Sequence, residues 1–181
     1  DINGISMGQR DAMLANGVEF LYTNIHTHHG MYPLYQNQKP YFWENEDGKR
    51  LLVWSGEHYN LGNALGIVFN KNVNFMTENY FGKAQGDVAG PLEKLYSNLT
   101  ASMEEYEENG YPYDFYITSV SGVFSDNAPI NPAIADTVAL FNEKYSEEVT
   151  LRMVTLQELY DLIRDKVADA PVYRGAINDW W

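Results

Sequence analysis

A short turn between two β-prone runs is the feature that most constrains how this chain folds. The segment PYFWENEDGKRLLVWS, residues 40–55, places aromatic and branched side chains on both sides of Asp47-Gly48. Asp-Gly is a strong hairpin-turn signal, because glycine adopts positive φ at little cost. The segment therefore predicts a β-hairpin. We expect Trp43 and Trp54 to pack against each other across its two strands.

Helix-like and strand-like segments alternate on either side of this hairpin. The sequence predicts helices over residues 6–17, 91–110, 132–145 and 155–167, and strands over residues 18–25, 113–122 and 149–155. Alternation of this kind indicates an α/β fold with a parallel sheet and helical cover. A Gly- and Asn-rich stretch follows the hairpin, so we expect the hairpin and a long loop to form an insertion at about residues 36–90. The whole chain, residues 1–181, is interpreted as a single partial domain.

Composition narrows the classes of partner. The chain has 181 residues, 45% of them hydrophobic, and a net charge of -13. Such an acidic surface repels nucleic acid and anionic membranes, and it suits a neutral substrate or a cation. There are no cysteines, which excludes disulfides and zinc-thiolate sites. The 14% aromatic content suits either a sugar-binding cleft or a tyrosine-rich core. We therefore expect a soluble protein, either cytoplasmic or secreted, whose partner is neither nucleic acid nor membrane.

The stretch NIHTHHG, residues 24–30, holds three of the four histidines in the chain. It follows a predicted strand, and ligands bind at the carboxyl ends of strands in α/β folds. If the strand continues, His26 and His28 share one face and His29 takes the other. Three interpretations stay open for them: sugar-hydroxyl contacts, structural hydrogen bonds and metal ligation. His58 is either a further contact across the cleft or an ordinary loop residue.

Three short motifs, taken in order, carry a family resemblance. DINGIS opens the chain at residue 1, SDNAPIN begins at residue 125, and PVYRG and DWW lie near the end. In this order the sequence resembles the catalytic domain of glycoside hydrolase family 38, the α-mannosidase family, and in particular its divergent bacterial relatives. The resemblance implies part of a seven-stranded β/α barrel and a retaining, zinc-binding glycosidase.

The same resemblance implies roles for particular residues. Asp1 looks like the nucleophile, which is also a zinc ligand, and Asp126 looks like the general acid/base. Retaining hydrolysis needs two such carboxyls about 5 to 5.5 Å apart. The predicted substrate contacts are His28, His29, His58, Asn127, Asp179 and Trp180. The structural alternatives are that Asp1 caps the first helix and that Asp126 caps its own turn.

The resemblance also implies that the remaining zinc ligands lie outside this sequence. We therefore expect an incomplete zinc site and a fragment that is inactive alone. An open sheet edge invites pairing, so the remainder of a longer polypeptide or a second copy is the expected partner. Two alternatives to a glycosidase stay open: a metal-dependent polysaccharide deacetylase on a related barrel, and a non-catalytic carbohydrate-binding module.

Overall fold

The computed structural model describes residues 4–24, 34, 38–57, 61–68, 89–120 and 132–177. The chain divides into two compact units, of which the first comprises residues 1–58 and 154–181 and the second residues 59–153. The elements in chain order are α1 (Met7–Ala15), β1 (Phe20–Asn24), β2 (Lys39–Glu44), β3 (Arg50–Gly56), α2 (Leu61–Leu65), α3 (Ala89–Glu108), α4 (Ala133–Tyr145), α5 (Leu156–Ile163) and β4 (Val172–Tyr173).

The strands of the first unit form one open, mixed sheet in the order β1-β3-β2-β4. Strand β1 runs parallel to β3, β2 runs antiparallel to β3, and β4 runs parallel to β2. The expectation of a seven-stranded β/α barrel is therefore wrong for the described residues, which form four strands. The hairpin is also not an insertion beside the sheet. It supplies both central strands, because β3 pairs with β1 and β2 pairs with β4.

The hairpin takes the centre because both faces of its strands are apolar. Six of its side chains are at most 4% exposed: Tyr41, Trp43, Leu51, Leu52, Val53 and Trp54. Strands that need cover on both faces occupy the interior of a sheet. The predicted turn is confirmed, with Gly48 at φ 78° and the Asn45 N–H donating to the Lys49 carbonyl at 2.9 Å.

The two hairpin tryptophans lie on opposite faces of the sheet, so the expected contact between them is wrong. Trp43 stands opposite Leu51, whereas Trp54 stands opposite Pro40. Trp54 therefore lies three residues beyond Leu51 along β3. Successive side chains of a strand point to opposite faces of the sheet, so Trp54 lies on the face opposite Trp43. Each indole finds its own acceptor: Trp43 Nε1 donates to the Gly175 carbonyl at 2.7 Å, and Trp54 Nε1 donates to a buried glutamine oxygen at 3.2 Å.

Helices cover both faces of this sheet. Met13 and Leu14 of α1 pack on the face that carries Trp43. On the other face, Phe20 of β1 stacks on Tyr160 of α5 at 5.7 Å between ring centroids. The layers are therefore helix, sheet and helix, and the core of the first unit lies on both sides of the hairpin.

Capping residues set the beginnings of α1 and α5 as the sequence predicts. Ser6 Oγ accepts a hydrogen bond from the Gln9 N–H at 3.2 Å. Thr155 and Glu158 form the predicted capping box, with each side chain bonded to the other residue's backbone. These bonds satisfy N–H groups that the first helical turn leaves without partners. Gly17, at φ 74°, follows the end of α1 as expected.

Helices α2, α3 and α4, together with the residues that follow α2, supply the apolar core of the second unit. Its buried members are Leu65, Ile67, Val68, Leu92, Leu95, Leu99, Ile134 and Phe141. The members from α3 recur at three- and four-residue steps, which confirms the amphipathic helix predicted there. Within the described ranges, no helix is both long and apolar enough to cross a membrane.

Two further predicted strands, residues 113–122 and 149–155, are not strands over their described lengths. Other groups satisfy backbone atoms that a sheet would have used. The side-chain amide of Asn142 donates to the Leu151 carbonyl and accepts from the Leu151 N–H, each at 2.8 Å. The Asn142 side chain thus forms the two backbone hydrogen bonds that a neighbouring strand would otherwise form with Leu151. The β-prone sequence alone could not reveal this competitor.

A buried carboxylate joins β4 to the rest of the sheet. The side chain of Glu44 is 9% exposed and accepts from Arg50 Nε at 2.7 Å and from Arg174 Nε at 2.8 Å. Arg10, which lies over the Trp43 ring at 5.6 Å, donates to the Glu44 carbonyl at 2.8 Å. The hydrogen bond from Arg50, followed by that from Arg174, holds the pKa of Glu44 below its ordinary value of 4.5.

We predict that Glu44→Gln lowers the free energy of unfolding at neutral pH. A carboxyl whose folded pKa is depressed stabilises the fold above its unfolded pKa and loses that contribution as pH falls through the folded pKa. The difference between the wild type and Glu44→Gln should therefore be constant from about pH 7 to about pH 5 and shrink below about pH 4. Urea unfolding at several pH values measures it.

Glu46→Gln is the matched control, because Glu46 is exposed in the turn between β2 and β3. It should change the unfolding free energy little at any pH, as surface substitutions usually do. A Glu44→Gln protein that behaves like Glu46→Gln across the whole pH range would contradict the assigned role of Glu44.

Candidate functional site

All of the site residues predicted from the sequence lie outside the described residues: Asp1, His28, His29, His58, Asp126, Asn127, Asp179 and Trp180. Their roles stay predictions. The structure does describe the residues that adjoin several of them in the chain. Asn24 precedes the three-histidine stretch, Glu57 precedes His58, and Ile177 precedes Asp179 by two positions.

The carboxyl ends of β1 and β3 adjoin each other. The two strands run parallel, and their last residues, Asn24 and Gly56, are cross-strand partners. The histidines at 26, 28 and 29 follow β1 in sequence, and His58 follows β3. Both histidine-containing segments therefore begin at neighbouring points on one sheet edge. In open α/β sheets this is the edge at which ligands bind.

Two polar side chains converge over Gly56 at this edge. A Cβ atom at Gly56 would lie 2.6 Å from Asn24 Oδ1 and 2.9 Å from the Tyr22 hydroxyl oxygen. Only a glycine leaves room for both groups, because real Cβ contacts are never so short. Tyr22, Asn24 and Gly56 are named here the carboxyl-edge cluster. Its members share one face of the sheet, since they occupy alternate positions on β1 and the position opposite.

The carboxyl-edge cluster has the chemistry of a hydroxyl-binding site. A phenol both donates and accepts hydrogen bonds, and a carboxamide offers one accepting oxygen and two donating N–H groups. Sugar hydroxyls likewise donate and accept. The cluster carries no formal charge, so it suits a neutral polar ligand.

A strained residue begins the neighbouring strand at the same edge. Gln38, fully buried, has φ 49°, in the left-handed region that glycine favours. Its side-chain oxygen accepts from Trp54 Nε1 at 3.2 Å. Such a conformation costs about 1 to 3 kcal/mol and persists where the surroundings hold it. Strained residues concentrate at functional sites, which agrees with a ligand-binding edge here.

A short antiparallel bridge joins the two terminal segments of the described first unit. Ile5 N–H donates to the Ile177 carbonyl at 2.7 Å, and Ile177 N–H donates back at 3.1 Å. Ile177 is buried in the core with Trp43. The bridge holds together the chain that follows Asp1 and the chain that leads to Asp179, although these two motifs are far apart in sequence.

The predicted catalytic pair, Asp1 and Asp126, lies outside the described residues. The last described residue before Asp126 is Val120, which a Cβ at Gly62 would meet at 2.7 Å. Gly62 N–H donates to the carbonyl of Ser119 at 2.8 Å, so α2 is bonded to the last described residues before Asp126.

The described residues supply no zinc site. Among them there is no group of three or more histidine, aspartate or glutamate side chains able to hold a metal ion. The donor set of a catalytic zinc is three protein ligands. The zinc therefore stays a prediction that rests on Asp1.

Comparisons with protein-family models, with curated proteins and with solved structures find no match for this chain.

Sequence reasoning missed the carboxyl-edge cluster. Its strongest signal was Gly56, a glycine that ends a β-prone run and so marks a close approach by another group. The polar residues Tyr22 and Asn24 alternate at the end of β1, which places them on one face. The pairing of β1 with β3 was needed to bring them to Gly56.

We predict that Gly56→Ala destabilises the first unit and disrupts the carboxyl-edge cluster. The new Cβ would overlap Asn24 Oδ1 and the Tyr22 hydroxyl, so one of them must move. Overpacking of a core costs about 1 to 3 kcal/mol, and the cost here should lie at the low end because both atoms are at the ends of partly exposed side chains. Urea unfolding monitored by tryptophan fluorescence measures the change.

Gly8→Ala is the control for this substitution. A Cβ at Gly8 has only Ser6 Oγ nearby, at 3.8 Å, and alanine favours a helix over glycine by about 1 kcal/mol. Gly8→Ala should therefore preserve or raise the unfolding free energy. If Gly56→Ala matched the wild type in stability, the close approach over Gly56 would be wrong.

Proposed function

We propose that this chain is the sugar-recognising part of a carbohydrate-active protein of the retaining α-mannosidase type. Its sugar-binding edge would be the carboxyl end of β1 and β3. The observation that supports the proposal is the pairing of Asn24 with Gly56, where Tyr22 and Asn24 converge and from which both histidine segments depart.

The proposed recognition uses hydrogen bonds between neutral polar groups. Tyr22 and Asn24 would bond to hydroxyls of one sugar ring, and one of His28 or His29, with His58, would add contacts. Trp180 would stack on the C–H face of a sugar. An uncharged cluster suits this role, because binding neutral hydroxyls requires no buried charge to be compensated.

The proposed chemistry is glycoside hydrolysis by two carboxyls. Asp1 would attack the anomeric carbon, and Asp126 would protonate the leaving oxygen and then activate water. These roles come from the family resemblance. The remaining zinc ligands, which the resemblance places outside this sequence, would be needed for full activity.

A non-catalytic carbohydrate-binding module is the second candidate. The observation that favours it is the open four-stranded sheet, which differs from the barrel that the hydrolase resemblance implies. The carboxyl-edge cluster serves either candidate equally, since both must bind sugar. A measurement of glycoside hydrolysis, and not of sugar binding, therefore distinguishes the hydrolase from the binding module.

We predict that methyl α-mannoside binds the purified chain and that Tyr22→Phe and Asn24→Ala weaken this binding. The loss of one neutral hydrogen bond is worth about 1 kcal/mol, or about 3 to 10-fold in dissociation constant. Nuclear magnetic resonance titration of the protein with the glycoside measures it.

Tyr160→Phe is the matched control for Tyr22→Phe, because Tyr160 is a half-buried tyrosine of the same unit that stacks on Phe20. It should leave the dissociation constant unchanged. If the glycoside fails to bind, or if Tyr160→Phe weakens binding as much as Tyr22→Phe, the proposed sugar edge is wrong.

We also predict that the chain alone hydrolyses aryl α-mannosides, with zinc added, at less than about 1 per second, the low end for an enzyme. The expectation rests on the incomplete zinc ligand set. Faster release of the aryl group, followed by absorbance, would show that these residues form a complete enzyme.

A further inference from the structure

On the sheet face that α1 covers, β3 presents Leu51, Val53 and Ser55 in turn, so the face changes from apolar to polar toward the carboxyl end. Ser55 stands opposite Thr23 of β1 and Lys39 of β2. Thr23, Ser55 and Lys39 are named here the Ser55 row. The row lies at the same sheet edge as the carboxyl-edge cluster but on the opposite face.

The hydroxyls of this region are buried without an evident structural use. Ser55 is 0% exposed, Thr23 is 7% exposed, and Tyr41, which follows Lys39 on the same face, is 2% exposed. Ser55 Oγ and the Tyr41 hydroxyl oxygen have no hydrogen-bond partner among the described residues. A buried polar group left in this state costs about 1 to 3 kcal/mol. Such groups point to a polar partner that arrives from outside the fold.

The ammonium of Lys39 strengthens this argument. Among the lysines and arginines in the described ranges, only Arg10 and Lys39 are not exposed. Arg10 forms an ion pair with Asp11 at 2.9 Å. Lys39 has no carboxylate oxygen within the 4.0 Å that defines an ion pair, as far as the described residues extend.

This lack of a partner is notable in so acidic a protein. The chain has 25 aspartates and glutamates and 12 lysines and arginines. Burying a charge, even partly, is unfavourable unless an opposite charge compensates it. A half-buried cation whose cross-strand partner carries a buried hydroxyl therefore has the donor set for an oxyanion, since the pair offers N–H and O–H groups and a positive charge.

We propose that the Ser55 row, together with Tyr41, is a subsite for an anionic substituent of the sugar ligand, a carboxylate or a sulfate ester. The inference rests on the proposed function and specifies the class of sugar. Lys39 would pair with the anion, and the Ser55 and Tyr41 hydroxyls would donate to its oxygens. The net charge of -13 does not prevent this, because distant surface charges are screened beyond about 8 Å at physiological salt.

The test compares two sugars that differ in one group. Glucuronic acid carries a carboxylate where glucose carries a hydroxymethyl group. Titration of the 181-residue chain should give a dissociation constant at least about 10-fold lower for glucuronate, which corresponds to about 1.4 kcal/mol. Lys39→Met should abolish this preference, and Lys39→Arg, which keeps the charge, should retain most of it.

Lys49→Met is the matched control, because Lys49 is an exposed lysine in the turn at the opposite end of the hairpin. It should leave the preference for glucuronate unchanged. Glucose 6-sulfate and inorganic sulfate distinguish the source of the anion. A sulfate ester that binds as tightly as glucuronate supports a general oxyanion site, and glucuronate binding alone supports a carboxylate site.

Ser55→Ala and Tyr41→Phe separate ligand binding from a structural role. If these hydroxyls serve only a ligand, their removal should leave the unfolding free energy of the ligand-free protein unchanged or higher. The same variants should weaken glucuronate binding by about 3 to 10-fold. A loss of stability with no loss of affinity would overturn the proposal.

Two other results would also overturn it: equal affinity of the wild type for both sugars, or a Lys39→Met protein that still prefers glucuronate. Equal binding of both sugars would leave the proposed sugar-binding function standing. If neither sugar binds, the anionic-sugar subsite fails, even where Lys39-dependent binding of inorganic sulfate persists, whereas the proposed function is decided separately by the binding of methyl α-mannoside.

Discussion

Burial of the hairpin on both faces is the constraint on which the first unit depends. Strands β2 and β3 carry large apolar side chains on alternate faces, and Trp43 and Trp54 mark the two cores that result. Two apolar faces need two layers of cover, which α1 and α5 supply. The arrangement also leaves both outer positions of the sheet to strands from distant parts of the sequence. The contact between Glu44 and Arg174 then holds β4 in place.

The polar groups of the first unit divide between the two ends of this sheet. At one end, Glu44 binds Arg50 and Arg174, so charges there compensate one another and hold β4. At the other end, Tyr22 and Asn24 converge over Gly56, and Lys39 has no counter-ion among the described residues. The first end has a structural role that accounts for its charges. The second end carries neutral polar side chains and a cation, which are the kinds of group that line a binding site.

The proposed carbohydrate recognition at that second end would connect observations that are otherwise separate. The chain is rich in aromatic residues, two histidine-containing segments begin at adjacent strand ends, and a strained glutamine starts the next strand. Because polar groups lie on both faces of this sheet edge, the proposed ligand could form hydrogen bonds with groups on each face. The distinction between a hydrolase and a binding module depends on carboxylates, and these belong to other segments of the chain.

Local signals in the sequence determined the local structure: the Asp47-Gly48 turn, the caps at Ser6 and Thr155, and the periodic apolar face of α3. Each depends on residues close together in the chain, so propensity and spacing suffice to predict it. Only the tertiary structure decided that the hairpin is central, that β1 pairs with β3, and that Asn142 replaces a strand partner for Leu151. It also decided that the polar groups of β1 meet Gly56. Strand order and cross-strand contacts depend on the competition between distant segments for the same apolar faces, and that competition has no local signature in the sequence.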